Sequence, residues 1–350
     1  MNNDQCCVTS CDRPLDQDFW DAQYKTKSTG WDLGQVSPPI KEYIDALDNK
    51  SCRILIPGCG NTYEAEYLLQ EGFTNVTVID IAPTLVEDLK QKFADNPNIK
   101  IILGDFFEQQ GQYDLIIEQT FFCALPPTMR QKYVWKMHQI LVQGGILAGL
   151  LFNRSFELSP PFGGSKEEYE LLFNSAFDFM RMDMATNSIA PRANSELFFE
   201  FKRNSNVLVN LYQFEGITCS GCMDTVTSKF EALNDVLSAS MSTDFSEVLI
   251  VGKNELPLEE LQAIVSYDEK YKIKKNKGSE SMKQLLFRNW HAMRWIRLLI
   301  GLFFIQQAIQ YHEFLLGFMA AFFLFQAVFN TGCSLNGCGV STFKKSKNEQ

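Results

Sequence analysis

The sequence has little positive charge for its length. Its 350 residues include 32 Lys and Arg against 42 Asp and Glu, a formal net charge of −10. Nucleic-acid-binding proteins neutralise phosphates with a basic surface, so this balance argues against a nucleic-acid partner. Cysteine is sparse, because ten residues scattered over the chain are too few for a disulfide-built fold. The first twenty residues contain no apolar run, so we expect no cleavable signal peptide and reduced thiols in the cytosol.

The charge is distributed unevenly, which indicates a chain of several parts. Residues 1–205 carry 28 acidic and 18 basic residues, residues 206–272 carry 11 and 4, and residues 273–350 carry 3 and 10. This length predicts two or three domains. The hydrophobic fraction of 45% is enough to give them cores. We predict three segments, 1–205, 206–273 and 274–350.

Strand and helix patterns alternate through the first segment. Short apolar runs at 53–57, 75–80, 101–103, 113–117 and 146–152 predict strands, with helical stretches between most of them. Nearly continuous apolar strands are typical of a parallel sheet covered by helices on both faces. We therefore predict an α/β fold with a parallel-rich sheet.

A glycine-rich turn follows the first predicted strand. Gly58 and Gly60 lack a Cβ, so the backbone there can approach a ligand closely. Asp80 ends the second strand, where it is placed to accept hydrogen bonds from ribose hydroxyl groups. Asp105 and Phe106 follow the third strand and suit an adenine ring. The turn alone also fits a plain strand-to-helix connection, because GxGxxG is incomplete, but the combination predicts a nucleoside cofactor at this edge.

Six short motifs occur in order along this segment: FWDAQY (19–24), GWDLG (30–34), IPGCG (56–60), GDFF (104–107), QTFFCALPP (119–127) and PPFG (160–163). Together they resemble the thiopurine S-methyltransferase family of S-adenosylmethionine-dependent methyltransferases. The strings WDLG and TFFCA are similar to its halide and thiol methyltransferase branch. The resemblance covers about residues 15–203, and it implies a class I Rossmann-like methyltransferase fold with S-adenosylmethionine as cofactor.

The resemblance also implies which residues surround the cofactor. They are Trp20, Tyr24, Trp31, Gly58, Cys59, Gly60, Asp80, Asp105, Phe106 and Gln119. The three N-terminal aromatic residues would fold over the cofactor, with Gly58 at its amino-acid moiety, Asp80 at the ribose, and Asp105 with Phe106 at the adenine. Gln119 stands where family members often have Arg or Tyr, and a neutral amide does not favour an anionic aromatic substrate.

Methyl transfer from a sulfonium requires no general base when the acceptor is a thiolate, hydrosulfide, thiocyanate, selenide or halide. We therefore expect a small nucleophile of this kind, or a metalloid species, as substrate, and we assign no catalytic residue. Arg130 and Arg192 are candidates for attracting an anion, or else are ion-paired surface residues. Cys59 and Cys123 are expected to be small buried hydrophobes, and His138 to be structural.

The second segment predicts a βαββαβ order within about 207–273, which is the ferredoxin-like arrangement. Its loop contains Cys219 and Cys222 in a C-x-x-C spacing that opens a helix, where two thiolates can bind one soft metal ion. The segment resembles the heavy-metal-associated domain of copper chaperones. That resemblance implies Cu(I), with Zn(II) as the alternative ion, and a redox dithiol is the competing interpretation.

The third segment contains uncharged runs at 298–311 and 314–343. With Trp295 and Arg297 included, the first reaches the length of a membrane span, so we predict a two-helix transmembrane hairpin in contact with membrane lipid. A buried hairpin of a soluble domain is the alternative. Residues 284–343 resemble small two-helix bacterial inner-membrane domains. Basic flanks on both sides predict that both ends, the methyltransferase and the metal domain are cytoplasmic. Cys333 and Cys338 are either metal-relay thiols or ordinary small residues.

Taken together, the sequence predicts an inner-membrane-anchored, S-adenosylmethionine-dependent methyltransferase fused to a domain that binds a heavy-metal ion. The alternative function is a heavy-metal trafficking or sequestering protein in which the methyltransferase-like part is incidental. The cofactor residues favour the enzyme, whereas Gln119 leaves the alternative open.

Overall fold

The computed structural model describes residues 14–276, 292–311 and 314–329. The chain divides into two compact units, residues 1–275 and residues 276–350, and each is described by itself.

The first unit begins with alternating helices and strands. In chain order they are α1 (Gln17–Lys25), α2 (Pro38–Asp45), β1 (Ile54–Pro57), α3 (Tyr63–Gln70), β2 (Val76–Asp80), α4 (Pro83–Lys92), β3 (Ile99–Leu103), β4 (Tyr113–Gln119), α5 (Phe121–Ala124), α6 (Arg130–Ile140), β5 (Leu141–Phe152), α7 (Lys166–Phe173), β6 (Phe177–Met184) and β7 (Glu196–Arg203). Short 3₁₀ turns lie at Phe106–Glu108, Pro127–Met129 and Ala190–Arg192.

These seven strands form one sheet in the order β3-β2-β1-β4-β5-β7-β6. The pairs among β1 to β5 are parallel, whereas β7 runs antiparallel to both β5 and β6. The predicted α/β fold with a parallel-rich sheet is therefore confirmed. The strand order reverses between β1 and β4, and such a reversal opens a crevice at the carboxyl ends of the strands.

Each face of the sheet has its own core. Every residue of β1 and β2 is buried, which is why both strands are unbroken apolar runs in the sequence. Ile44 of α2 and Leu68 of α3 pack on one face. Tyr133 of α6 and Phe173 of α7 pack on the other face.

A second sheet follows within the same unit. Its elements are β8 (Leu208–Glu215), α8 (Ser220–Glu231), β9 (Val236–Met241), β10 (Glu247–Gly252), α9 (Leu258–Val265) and β11 (Lys272–Lys275), which is the βαββαβ succession expected from the sequence. The four strands are antiparallel, in the order β11-β8-β10-β9. α8 and α9 cover one face, where Phe230 and Leu261 are fully buried.

The other face of the second sheet packs against α6. Leu211 of β8 and Leu249 and Val251 of β10 belong to the same buried cluster as Trp135 of α6. Nearly every residue of β10 is buried, because this strand contacts its own helices on one side and α6 on the other. α6 therefore lies between two sheets.

The burial of Gln131 on α6 follows from this position, because its Nε2 donates a hydrogen bond to the Met241 carbonyl of the second sheet at 3.0 Å. Lys136 and His138 of the same helix are also buried, 3% and 4% exposed, and the His138 ring packs against Phe177 of the first sheet. The predicted boundary after residue 205 falls between β7 and β8, inside one compact unit, and the division into domains stays a prediction.

The second unit contains two helices, α10 (Ala292–Tyr311) and α11 (Phe314–Phe329). They pack at Gly301, where an added Cβ would lie 2.8 Å from the Leu324 side chain. The rings of Phe304 and Phe323 stack with centroids 5.9 Å apart.

The prediction of a transmembrane hairpin is not supported by these helices. Within 14–276, 292–311 and 314–329, no helix combines the length and the apolar character that crossing a bilayer requires. A span needs about 20 apolar residues. α11 has 16 residues, and the 20 residues of α10 include Arg294 and Arg297. Within these residues the predicted transmembrane hairpin is therefore not supported, and the two helices pack against each other.

Candidate functional site

A cavity of about 810 Å³ opens at the carboxyl ends of β1, β2 and β4. Its wall contains all ten residues that the sequence predicts around a cofactor: Trp20, Tyr24, Trp31, Gly58, Cys59, Gly60, Asp80, Asp105, Phe106 and Gln119. Their convergence on one cavity is observed, and their roles toward a cofactor stay predictions.

The turn after β1 has glycine at two positions where the backbone is left-handed, which favours glycine. Gly58 has φ +53°, and a Cβ there would overlap the Phe121 ring. Gly60 has φ +51°, with the Tyr24 hydroxyl 3.5 Å from where its Cβ would be. Cys59 between them is 8% exposed, and burial raises the pKa of its thiol, so it is a neutral packing residue, as expected. At Gly60 the backbone of this turn therefore borders the cavity with no Cβ of its own.

Asp80 at the end of β2 is a nearly buried carboxylate in the cavity wall, 8% exposed. Its Oδ2 accepts from the Gly60 N–H at 3.1 Å and its Oδ1 from the Ala82 N–H at 3.0 Å. Burial raises the pKa of Asp80, and these N–H donors oppose the rise. Each oxygen keeps lone pairs for further donors, so the carboxylate is oriented for a pair of hydroxyl groups.

Aromatic side chains from the N-terminal segment cover one side of the cavity. The Trp31 ring lies edge-on to Trp20 and Tyr24, with centroids 5.5 and 6.0 Å apart. Asp21, which the sequence analysis missed, anchors α1 because its carboxylate accepts from the Thr84 N–H at 2.7 Å. The anchor fixes the aromatic cover against the first turn of α4.

The carboxyl ends of β3 and β4 complete the wall. Asp105 accepts from the Phe107 N–H at 2.8 Å, and the Phe106 ring packs 5.3 Å from Phe121. Gln119 Nε2 is buried and has no hydrogen-bond partner among the described residues. An unpaired buried donor is costly, so this amide at the cavity wall is suited to a ligand acceptor.

The profile of the family described as thiopurine S-methyltransferase matches residues 15–208, more than half of the chain. The chain belongs to the thiopurine S-methyltransferase family. It is thus an S-adenosylmethionine-dependent methyltransferase, and the enzyme class expected from the sequence is confirmed.

Three relatives illustrate the range of the family. A probable thiol methyltransferase 2 of Arabidopsis thaliana is 32% identical over 195 residues, which are 53% of this chain and 85% of the relative. A thiopurine S-methyltransferase of Acinetobacter baylyi is 30% identical and covers 47% of this chain and 86% of its own length. A thiocyanate methyltransferase 1 of Brassica oleracea is 25% identical, and the match covers 54% of this chain and 86% of the relative.

Two arginines line this methyltransferase cavity. Arg192 donates to Glu196 at 3.1 Å and to the Trp31 carbonyl at 2.8 Å, so it holds the aromatic cover in place. Arg154 was missed by the sequence analysis. Its guanidinium lies 4.7 Å from the Phe156 ring centroid, with no ion pair among the described residues. Because it follows β5, the rule that strand ends converge at one edge could have found it.

The remaining candidates lie away from the cavity. Arg130 pairs with Glu168 and donates to the Gly163 carbonyl at 2.7 Å, so it is a structural residue and not an anion site. His138 Nε2 lies 3.1 Å from the Asn204 carbonyl, and burial lowers its pKa to about 4, which agrees with the expected structural role.

The C-x-x-C loop begins α8, where Cys219 Sγ accepts from the Cys222 N–H at 3.2 Å. The two cysteines are joined in a disulfide, so the free thiolates expected from the sequence are oxidised in this structure. Across the described part of the chain, no group of three or more His, Cys, Asp or Glu is arranged to hold a metal. Cys333 and Cys338 lie outside the described residues.

Proposed function

We propose that the chain transfers a methyl group from S-adenosylmethionine to a small, soft nucleophile, first of all a thiol, hydrosulfide or thiocyanate. Selenide, halide and metalloid species belong to the same chemical class and are secondary candidates. The observation that carries the proposal is the composition of the cavity wall. The described residues that line it include two arginines and five carboxylates but no lysine or histidine, and two of the carboxylates, Asp80 and Asp105, are held by backbone amides.

The residues present fit the cofactor. The left-handed turn brings the backbone of Gly58 and Gly60 to the cavity wall, with the Phe121 ring seated where a Cβ of Gly58 would be, and it suits the amino-acid moiety. Asp80 is held by two backbone amides with lone pairs toward the cavity, and it suits the ribose hydroxyls. Asp105 and Phe106 suit the adenine. When bound there, S-adenosylmethionine supplies an electrophilic methyl group on a positively charged sulfur.

We assign the acceptor to the end of the cavity lined by Phe121, Phe152 and Phe156. These apolar rings would leave a bound thiolate less solvated and therefore more reactive. Arg154 at this end is a cation without an ion pair among the described residues, so it can attract an anionic nucleophile. Because hydrosulfide and thiocyanate are anions near neutral pH, positioning accounts for most of the rate that their methylation requires. The names of the thiol and thiocyanate methyltransferase relatives support the same substrate class.

A panel assay tests the proposal. Purified full-length chain is incubated with methyl-labelled S-adenosylmethionine and hydrosulfide, small thiols, thiocyanate, iodide, selenite or a thiopurine. We expect labelled product from the sulfur nucleophiles, and an Arg154→Gln variant should raise KM for thiocyanate more than for a neutral thiol. Cofactor binding without transfer to any member of the panel would contradict the substrate class.

The C-x-x-C loop supports a second proposed function, the binding of one Cu(I), or Zn(II), by reduced Cys219 and Cys222. Cys219 is the exposed N-cap residue of α8, next to the helix N-terminus, whose dipole stabilises a thiolate. After reduction, competition with a Cu(I) chelator should give one equivalent bound, and the double Ser variant should give none. Metal binding combined with no methyl transfer would favour the alternative of a metal-trafficking protein.

The helix pair supports a proposal on cellular location. α10 and α11 expose large apolar side chains, among them Phe303, Phe314, Phe318 and Phe322 at 55–83%. Neither helix contains an acidic residue. We propose that this surface associates with anionic lipid of the inner membrane while the enzyme faces the cytoplasm. Recovery of the full chain entirely in the fraction that does not sediment with membranes would contradict this.

A further inference from the structure

Glu118 is a buried carboxyl directly behind the cavity wall, and the proposed reaction does not use it. It is the penultimate residue of β4 and is 0% exposed. Its Oε1 accepts a hydrogen bond from the Phe122 N–H at 2.7 Å. Oε2 has no hydrogen-bond partner among the described residues. The hydrogen bond of the Glu118 side chain therefore goes to the backbone of the turn that follows β4.

Placing a carboxyl here is costly. Burial raises the pKa of Glu118 to about 8, even though the backbone N–H groups of Thr120, Phe121 and Phe122 lower it. An apolar side chain of the same length would avoid the cost of burying a polar group. It could not accept the hydrogen bond, so that bond is what distinguishes Glu118 from an ordinary core residue.

The turn held by this bond has an unfavourable backbone. Thr120 has φ +60°, a left-handed conformation that non-glycine residues adopt only when surrounding contacts hold it. The next residue, Phe121, seats its ring where a Cβ of Gly58 would be, and it also contacts the Phe106 ring. Movement of this turn would therefore move the contact with the glycine turn of the cavity.

We propose that Glu118 is a positioning residue for cofactor binding: by holding the turn after β4, it keeps the Phe121 ring seated on Gly58. The inference rests on the proposed binding of S-adenosylmethionine in this cavity. Glu118 does not reach the cavity itself and acts only through the turn.

Two variants separate the hydrogen bond from the volume of the side chain. Glu118→Gln keeps a carbonyl acceptor, and Glu118→Met keeps the length but removes the acceptor. We expect titration calorimetry on the full chain to give an S-adenosylmethionine Kd within threefold of wild type for Gln. For Met we expect a Kd about tenfold or more higher, because the Phe122 N–H loses its partner. Ile140→Val is the matched control, since it removes a methylene from the same core outside the cavity.

The outcomes separate this inference from the proposed function. Wild type that does not bind S-adenosylmethionine would contradict the proposed function. Wild-type affinity in Glu118→Met would overturn the positioning role alone, as would an equal loss in Met and Gln or a similar loss in the control. If Glu118→Met does not fold, Glu118→Asp withdraws the carboxylate by one methylene, and unchanged affinity in that variant would also overturn the role.

Discussion

The buried state of Glu118 has a measurable consequence for stability, which the Glu118→Gln substitution isolates. The ordinary pKa of a glutamic acid is 4.5, and burial raises that of Glu118 to about 8. Between these pH values the unfolded chain carries the ionised carboxylate while the folded chain keeps it protonated. The contribution of this group to the free energy of unfolding is therefore full below pH 4.5, declines as pH rises, and is lost above pH 8.

The magnitude follows from the size of the shift. One pKa unit corresponds to 1.36 kcal/mol, so at pH 7 the ionisation of Glu118 in the unfolded chain costs roughly 3 kcal/mol of stability, and above pH 8 about 5 kcal/mol. Glutamine has the same shape and no ionisation, so its advantage over glutamic acid should grow by about 1.4 kcal/mol per pH unit between pH 5 and pH 8. Cys123, Tyr133 and Tyr169, the titratable groups coupled to Glu118, have raised pKa values and stay neutral in this range.

Urea unfolding of wild type and Glu118→Gln at pH 5.5, 7.0 and 8.5 measures this difference. Comparing the two proteins at each pH cancels the contributions of other titrating groups. We expect the two free energies of unfolding to diverge with rising pH, with the variant more stable. A difference that is constant across the three pH values would show that Glu118 ionises at an ordinary pKa, and the argument from its burial would be wrong.

Other parts of the structure give three further predictions. Asp80→Ala should weaken S-adenosylmethionine binding tenfold or more in calorimetry, since each charge-assisted hydrogen bond contributes roughly 1.5–3 kcal/mol, and unchanged affinity would remove Asp80 from the site. The pKa of His138 is lowered to about 4 from 6.5, so the stability that its neutral ring contributes is lost as pH falls from 6.5 to 4. In unfolding experiments, His138→Gln should reduce the drop in the free energy of unfolding over this pH range by up to about 3 kcal/mol. An unaltered dependence of that free energy on pH would argue against burial of a neutral ring. Leu249→Ala should lower the free energy of unfolding by about 2–5 kcal/mol, and a loss under 1 kcal/mol would contradict the docking of the second sheet on α6.

The sequence predicted those parts of the fold and site that depend on local pattern. Apolar runs identified β1 and β2 because both strands are buried along their whole length, and the glycine turn and Asp80 could be placed because they end those strands. Arg154 and Asp21 were missed, since their roles depend on how distant segments converge. Glu118 was missed because an acidic residue at the end of a strand gives no sign in the sequence of being buried.

Two further features depend on contacts that local sequence pattern does not show. Nothing in the sequence of α6 indicates that a second sheet covers Gln131. The uncharged runs near the C-terminus predicted membrane-spanning helices, but the hydrophobic pattern of the sequence did not fix where α10 and α11 begin and end. Burial by a partner element is a property of the assembled chain, and a single sequence does not contain it locally.

The position of α6 between two sheets also limits how this protein can be altered or divided. A helix with solvent on one side can accept many substitutions there, whereas α6 must suit two packed surfaces at once. A family member that ends after the seventh strand should carry freely variable charged residues at the positions of Gln131 and Trp135. In this chain the two sheets are expected to tolerate only paired changes across the helix, so exchanging the second sheet for that of another protein would require redesigning α6 as well.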